Sequence, residues 1–197
     1  MSGARIGLMG GTFDPIHHGH LVAAEEARVA LSLERVLFIP AGRPWQKERP
    51  GVSSADHRLA MTKLATADND EFEVSGIEIE REGPTYTIDT LRTVGEEHPG
   101  AELHFITGAD ATLEILTWKD PEEALELATF VAVTRPGHDL GKLSSLGYRD
   151  RIVVLEIPAL AISSTDIRRR VAEGRPIRYL VPESVRQYID EHVLYRA

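Results

Sequence analysis

The 197-residue sequence contains no cysteine, so disulfides, thiolate metal sites and cysteine nucleophiles are excluded. It is also short of positive charge. Lys and Arg number 22 against 31 Asp and Glu, a formal net charge of -9. That balance argues against broad nucleic-acid binding, which calls for a basic face. It leaves room for a small anionic ligand in a local basic pocket. No apolar run approaches the ~20 residues needed to span a bilayer, and no signal-peptide pattern opens the chain. A cytoplasmic protein without a membrane partner is the expectation. Linkers, repeats and low-complexity tracts are missing too, so residues 1–197 are read as one domain, with 42% hydrophobic and 27% charged residues.

What is there is a regular alternation of strand and helix patterns. Short apolar runs at Arg5–Met9, Arg35–Pro40, Glu102–Gly108, Thr129–Thr134 and Ile152–Leu155 read as buried strands. Phe72, Val74, Ile77 and Ile79 alternate with polar residues and predict a half-buried strand, broken by Gly83-Pro84. Between these lie helical patterns. The first runs from about Gly19 to Ser32, with Leu21, Val22, Ala24 and Val29 as its apolar positions. The second is capped near Ser53 or Ser54 and places Leu59, Met61, Leu64 and Ala65 inward. Others cover Thr87–Glu97, Pro121–Ala128 and Ser163–Ala172. The last, Pro182–His192, has Val185, Tyr188, Ile189 and Val193 on one face. The expectation is an α/β, Rossmann-like domain: a mostly parallel sheet, helices on both faces, and a helical C-terminal end. The polar connections 41–54 and 136–150 stand outside that pattern, and the length of the first suggests a functional loop.

The chemistry concentrates in Gly10-Gly11-Thr12-Phe13-Asp14-Pro15-Ile16-His17-His18-Gly19-His20. A strand, a glycine turn and a helix start in that order form an anion site, because small residues admit a phosphate and free N–H groups meet it. A tight turn with a capped helix would explain the glycines. It would not explain three histidines within four residues. Metal ligation by the histidines is set aside because no clear carboxylate partner sits in the motif. A second segment, Ile162-Ser163-Ser164-Thr165-Asp166-Ile167-Arg168, reads by itself as a helix cap. It equally supplies hydroxyls, N–H groups and a guanidinium suited to polyphosphate.

These two segments resemble the paired signatures of the nucleotidyltransferase superfamily. Gly83-Pro84-Thr85-Tyr86-Thr87, Gly108-Ala109-Asp110 and Leu116-x-Trp118-Lys119 resemble its nicotinate-nucleotide adenylyltransferase branch. The resemblance implies transfer of AMP from ATP to nicotinate mononucleotide, with Mg2+ carried by ATP and pyrophosphate. It implies that His17 and His20 hold the ATP phosphates beside Gly10 and the backbone of Gly11, Thr12 and Phe13. Ser164, Thr165 and Arg168 would grip the β,γ side, Gly108 and Asp110 would meet the ribose, and Arg135 would contact phosphate or adenine. Trp118 would stack on the nicotinate ring, with Thr85 and Tyr86 around it and Thr85 facing the carboxylate. Lys47 is the candidate triphosphate ligand in a loop that departs from the usual pattern, and Trp45 has no assigned task. Both substrates are small molecules, and a homo-oligomer is compatible with the sequence. Competing readings are a phosphopantetheine adenylyltransferase, a nucleotide-binding module without turnover, and a Rossmann dehydrogenase. The last lacks its Gly-x-Gly-x-x-Gly.

Overall fold

A computed structural model describes residues 3–42, 52–134, 151–158 and 160–196. Its centre is a six-stranded sheet of β1 (Arg5–Gly11), β2 (Arg35–Pro40), β3 (Phe72–Val74), β4 (Glu102–Gly108), β5 (Ala128–Thr134) and β6 (Ile152–Glu156). The strand order is β3-β2-β1-β4-β5-β6, and every neighbouring pair is parallel. All-parallel strands must be covered on both sides, and successive side chains show it by dividing between two cores. Ile6, Leu8, Leu37, Ile39, Leu103 and Phe105 point to one core. Met9, Val36, Phe38, Ile106 and Val131 point to the other.

Four helices cover the second of these cores. They are α1 (His18–Leu31), α2 (Ala55–Thr66) and, late in the chain, α7 (Ser164–Ala172) and α8 (Glu183–Glu191). The opposite face is covered by α4 (Thr87–Glu97) and α6 (Pro121–Leu127); α3 (Ile77–Glu80) and α5 (Ala109–Leu113) are single turns near the strand ends. The α/β architecture with helices on both faces is the one expected. Among the described residues no helix is long and apolar enough to cross a membrane.

Four local expectations are corrected. The alternation through Ile77 and Ile79 is not a strand, for β3 ends at Val74 and Ile77–Glu80 form a helical turn. The Ile79 N–H returns to the Gly76 carbonyl at 2.8 Å, and Glu78, which alternation would expose, is buried. On α1 the buried stripe is Ala23, Ala24 and Ala27, small residues that let the helix lie close on the sheet, whereas Val29 is 62% exposed. On α2 the inner stripe is Arg58, Met61, Thr62 and Ala65, spaced i, i+3, i+4 and i+7, and Leu64 falls outside it. Val193 lies beyond the end of α8 in a left-handed conformation and is exposed.

The topology also places the site. Strand order reverses beside β1, whose partners β2 and β4 lead to opposite halves of the sheet. A crevice opens at the carboxyl ends of strands at such a switch point. Here those ends carry Gly10 and Gly11 on β1 and Thr107 and Gly108 on β4.

Candidate active site

Past β1 the chain turns sharply. Phe13 adopts φ 50°, the left-handed region, and its buried ring packs edge-on to His20 with centroids 5.1 Å apart. The turn requires Gly11, since a Cβ there would lie 2.7 Å from the Phe13 ring. His17 then caps α1 in extended conformation and is 6% exposed. Its backbone N–H donates to His20 Nδ1 at 3.2 Å, and the two imidazoles stack with centroids 3.7 Å apart. An accepting Nδ1 leaves Nε2 to carry the ring proton of His20. The bond thus fixes both the ring's orientation and the nitrogen that donates.

The second segment folds onto this turn. Ser163 caps α7, its hydroxyl accepting the Asp166 N–H at 3.2 Å. Ser164 Oγ donates to the Pro15 carbonyl at 2.9 Å, and Arg168 Nη1 donates to the Asp14 carbonyl at 2.6 Å. Arg168 also donates through Nη2 to Thr165 Oγ1 at 3.4 Å. Segments 149 and 154 residues apart are thereby stitched directly together. The Ser164 hydroxyl proton is used in that stitch, so its main-chain N–H is the group left to meet an anion.

Between the segments lies a cavity of about 620 Å³. Gly10, Gly11, Thr12, Phe13, His17 and His20 line one side; Ser164, Thr165 and Arg168 line another; Gly108 and Asp110 close it from β4 and α5. Ten residues proposed for the ATP side, with Arg168, are therefore brought together. Arg135 and Lys47, like Trp45, lie outside the described residues.

A smaller cavity of about 180 Å³ adjoins the first and shares Gly10, Gly11, Thr12 and Thr107 with it. Thr85, Tyr86 and Trp118 line it together. Trp118 is half-buried and stands edge-on to both Phe105 and Phe130, each with centroids 6.1 Å away. Lys119 Nζ sits 4.6 Å from the Tyr86 ring centroid and 3.2 Å from Asp89 Oδ2. Glu78 lines the same cavity and accepts from Thr90 Oγ1 at 2.7 Å. Burial pushes its carboxyl up, while hydrogen bonds from Thr90 and Thr85 pull the other way.

Three residues with no task assigned from the motifs hold this site together, although Asp14 stands within the first motif. Arg58 is 2% exposed and donates to the carbonyls of Ser53, Thr12 and Gly42 at 3.2, 2.9 and 3.1 Å. Desolvation lowers its pKa, and the charges of Asp14, Tyr195 and Glu78 oppose that. Asp14 and Tyr195 form the second and third, joined at 2.6 Å. Arg58 leaves one trace in the sequence: a lone charge in register with Met61, Thr62 and Ala65. Tyr195 leaves none.

A glycine turn at a sheet's switch point, facing a second helix start across one cavity and adjoining another, defines a nucleotide-binding α/β protein with room for two ligands. Residues 8–170 match the model of the cytidylyltransferase-like family. The chain belongs to that family, and within it to the group of the nicotinate-nucleotide adenylyltransferases. A protein of Leifsonia xyli named "probable nicotinate-nucleotide adenylyltransferase" is 60% identical, over 98% of this chain and 94% of its own length. One of the same name from Streptomyces coelicolor is 56% identical, over 95% of this chain and 99% of its own. The solved Plasmodium falciparum nicotinic acid mononucleotide adenylyltransferase, complexed with NaAD, superposes with a TM-score of 0.81. It covers 98% of this chain and 97% of that one at 21% identity, a likeness of fold.

Proposed function

We propose that the protein transfers AMP from ATP to nicotinate mononucleotide, releasing deamido-NAD and pyrophosphate, by direct in-line attack without a covalent enzyme intermediate. The observation that carries this reading is the pair of cavities meeting over Gly10, Gly11 and Thr12. An acceptor phosphate arriving from the smaller cavity would meet the α-phosphorus of ATP in the larger one at that shared floor. An oxygen of the acceptor phosphate forms the new P–O bond as the bond from Pα to the β-phosphate oxygen breaks. Pyrophosphate departs with its magnesium, which enters as part of the substrate.

Such transfer asks the protein for position and charge neutralisation. His20, its Nε2 proton directed by the Nδ1 hydrogen bond, stabilises charge growing on the α-phosphate, with His17 beside it. Arg168, Ser164 and Thr165 take the β,γ side, with Lys47 as a further phosphate contact and Arg135 as a phosphate or adenine contact. Gly108 and Asp110 receive the ribose. Trp118 provides the face for the nicotinate ring. Thr85, whose hydroxyl is engaged by Glu78, and Tyr86 flank it, and main-chain N–H donors there favour a carboxylate over an amide whose NH2 cannot accept.

The test is to incubate the protein with ATP, magnesium and one of three acceptors: nicotinate mononucleotide, nicotinamide mononucleotide or phosphopantetheine. Pyrophosphate release is expected with the first. Release with phosphopantetheine alone overturns the reading, and none with any acceptor favours a binding module.

Gly19 offers a second check. A Cβ there would stand 3.0 Å from His17 Nδ1 and 3.1 Å from Cε1, tighter than ordinary contact. Gly19→Ala is expected to lower kcat/KM by roughly tenfold by pushing His17 off its stack. Thermal stability should hold or rise, since alanine favours helix over glycine by about 1 kcal/mol. Steady-state kinetics and a melting curve decide it; unchanged kinetics would mean that the stack is dispensable.

A further inference from the structure

Resting on that reading, we propose that Tyr195 is a positioning residue for the transfer: it holds the Asp14 carboxylate on its own hydroxyl and so keeps Arg168 available to the departing pyrophosphate. Asp14 is 1% exposed. A carboxylate so buried needs donors around it or it becomes costly. Tyr195 Oη donates to Oδ1 at 2.6 Å, and the Ser53 N–H donates to Oδ2 at 3.3 Å. Arg168 Nη1 stands 3.8 Å from Oδ2, near enough for attraction but too far for a hydrogen bond. Its short bond goes instead to the Asp14 main-chain carbonyl, at 2.6 Å.

Among the described residues the other nearby cation, Arg58, is committed to three carbonyls. If Tyr195 withdrew its proton donor, Oδ1 would be left buried without a hydrogen bond. Arg168, 3.8 Å away, is then the described cation within reach, and the carboxylate would draw it into a close ion pair. A guanidinium so engaged offers less to a polyphosphate. The tyrosine is suited to prevent this because it is a neutral donor, satisfying the carboxylate without cancelling its charge. Burial, reinforced by the Asp14 charge, pushes the phenol far up, so the hydroxyl keeps its proton throughout the working range.

The backbone that delivers this hydroxyl is itself unusual. Past α8, Val193 takes φ 53° and Tyr195 takes φ 62°, both in the left-handed region that β-branched and bulky residues avoid. Two such residues within three positions carry strain, and surrounding contacts must offset it. The turn leaves Val193 exposed and directs the Tyr195 ring into the core beside Met61, whose Sδ lies 4.0 Å from Oη.

The test is Tyr195→Phe, which removes one oxygen. At a temperature well below its melting point, kcat is expected to fall about tenfold, and product inhibition by pyrophosphate to weaken by a similar factor. The KM for nicotinate mononucleotide should stay within twofold, since the smaller cavity is untouched. Adding Asp14→Asn to the Tyr195→Phe protein should then restore part of the lost turnover, because the charge that captures Arg168 is gone. A merely structural tyrosine would lower the melting temperature without that rescue. Full turnover in Tyr195→Phe, or a loss that Asp14→Asn deepens, overturns the proposal. If Tyr195→Phe does not fold, Asp14→Asn alone decides. Pyrophosphate should bind at least as tightly as to the parent, and weaker binding overturns the proposal. Parent protein assayed in parallel separates this outcome from failure of the adenylyltransfer reading, which would leave the parent itself inactive.

Discussion

Alanine in place of His20 is expected to lower kcat by about 10²–10³-fold, the scale seen when one preorganised donor to developing charge is removed. The size follows from how tightly the imidazole is held. Its Nδ1 is tied to the His17 N–H, one face is stacked on His17, and the Phe13 ring meets it edge-on. A donor fixed in three ways loses little entropy when charge appears, so nearly all of its electrostatic contribution reaches the transition state. The substitution also removes an acceptor at the start of α1, which costs about 1 kcal/mol, so the variant should stay folded. Single-turnover kinetics beside a far-UV melting curve separate the two effects. Turnover close to the parent's would remove His20 from the reaction.

The second large effect concerns stability. Arg58→Met keeps most of the side-chain length but withdraws three donors at once from Ser53, Thr12 and Gly42. Buried carbonyls left without partners cost ~1–3 kcal/mol each, and because these three are only partly buried a total of roughly 3–5 kcal/mol is expected. For a chain of this size that is a fall in Tm of roughly 10 °C. Activity should fall as well, since Thr12 belongs to the floor shared by both cavities. A Tm within 2 °C of the parent's would mean that water or another side chain replaces the guanidinium.

The sheet was largely legible in the sequence because buried parallel strands are apolar throughout, and Val36 to Ile39 or Phe130 to Val133 can be little else. The helices were legible by extent but less by face. On α1 the inner surface is alanine, which carries too little hydrophobicity to outvote Val29 in a periodicity. The segment Ile77-Glu78-Ile79 misled because a single helical turn and a strand can share a two-residue alternation. Both segments that line the larger cavity were recognisable from local spacing, since their signatures are carried by neighbours in sequence. Arg58, Tyr195 and the task of Asp14, itself a motif residue, were not, because the partners lie up to 181 residues away. No local pattern encodes a contact of that separation.

That separation has a consequence for the order in which the protein is made. A nascent chain has its glycine turn and both imidazoles as soon as α1 is complete, yet it lacks the wall opposite them. Arg168 arrives 154 residues after the Asp14 carbonyl it grips, and Tyr195 later still. A chain that stops before Ile162 holds all six strands but lacks α7 and α8, so one core and the cleft are both unfinished. Contacts of such long range are slow to form and cooperative once made. During synthesis the cleft is therefore walled on both sides only once the C-terminal helices have been made.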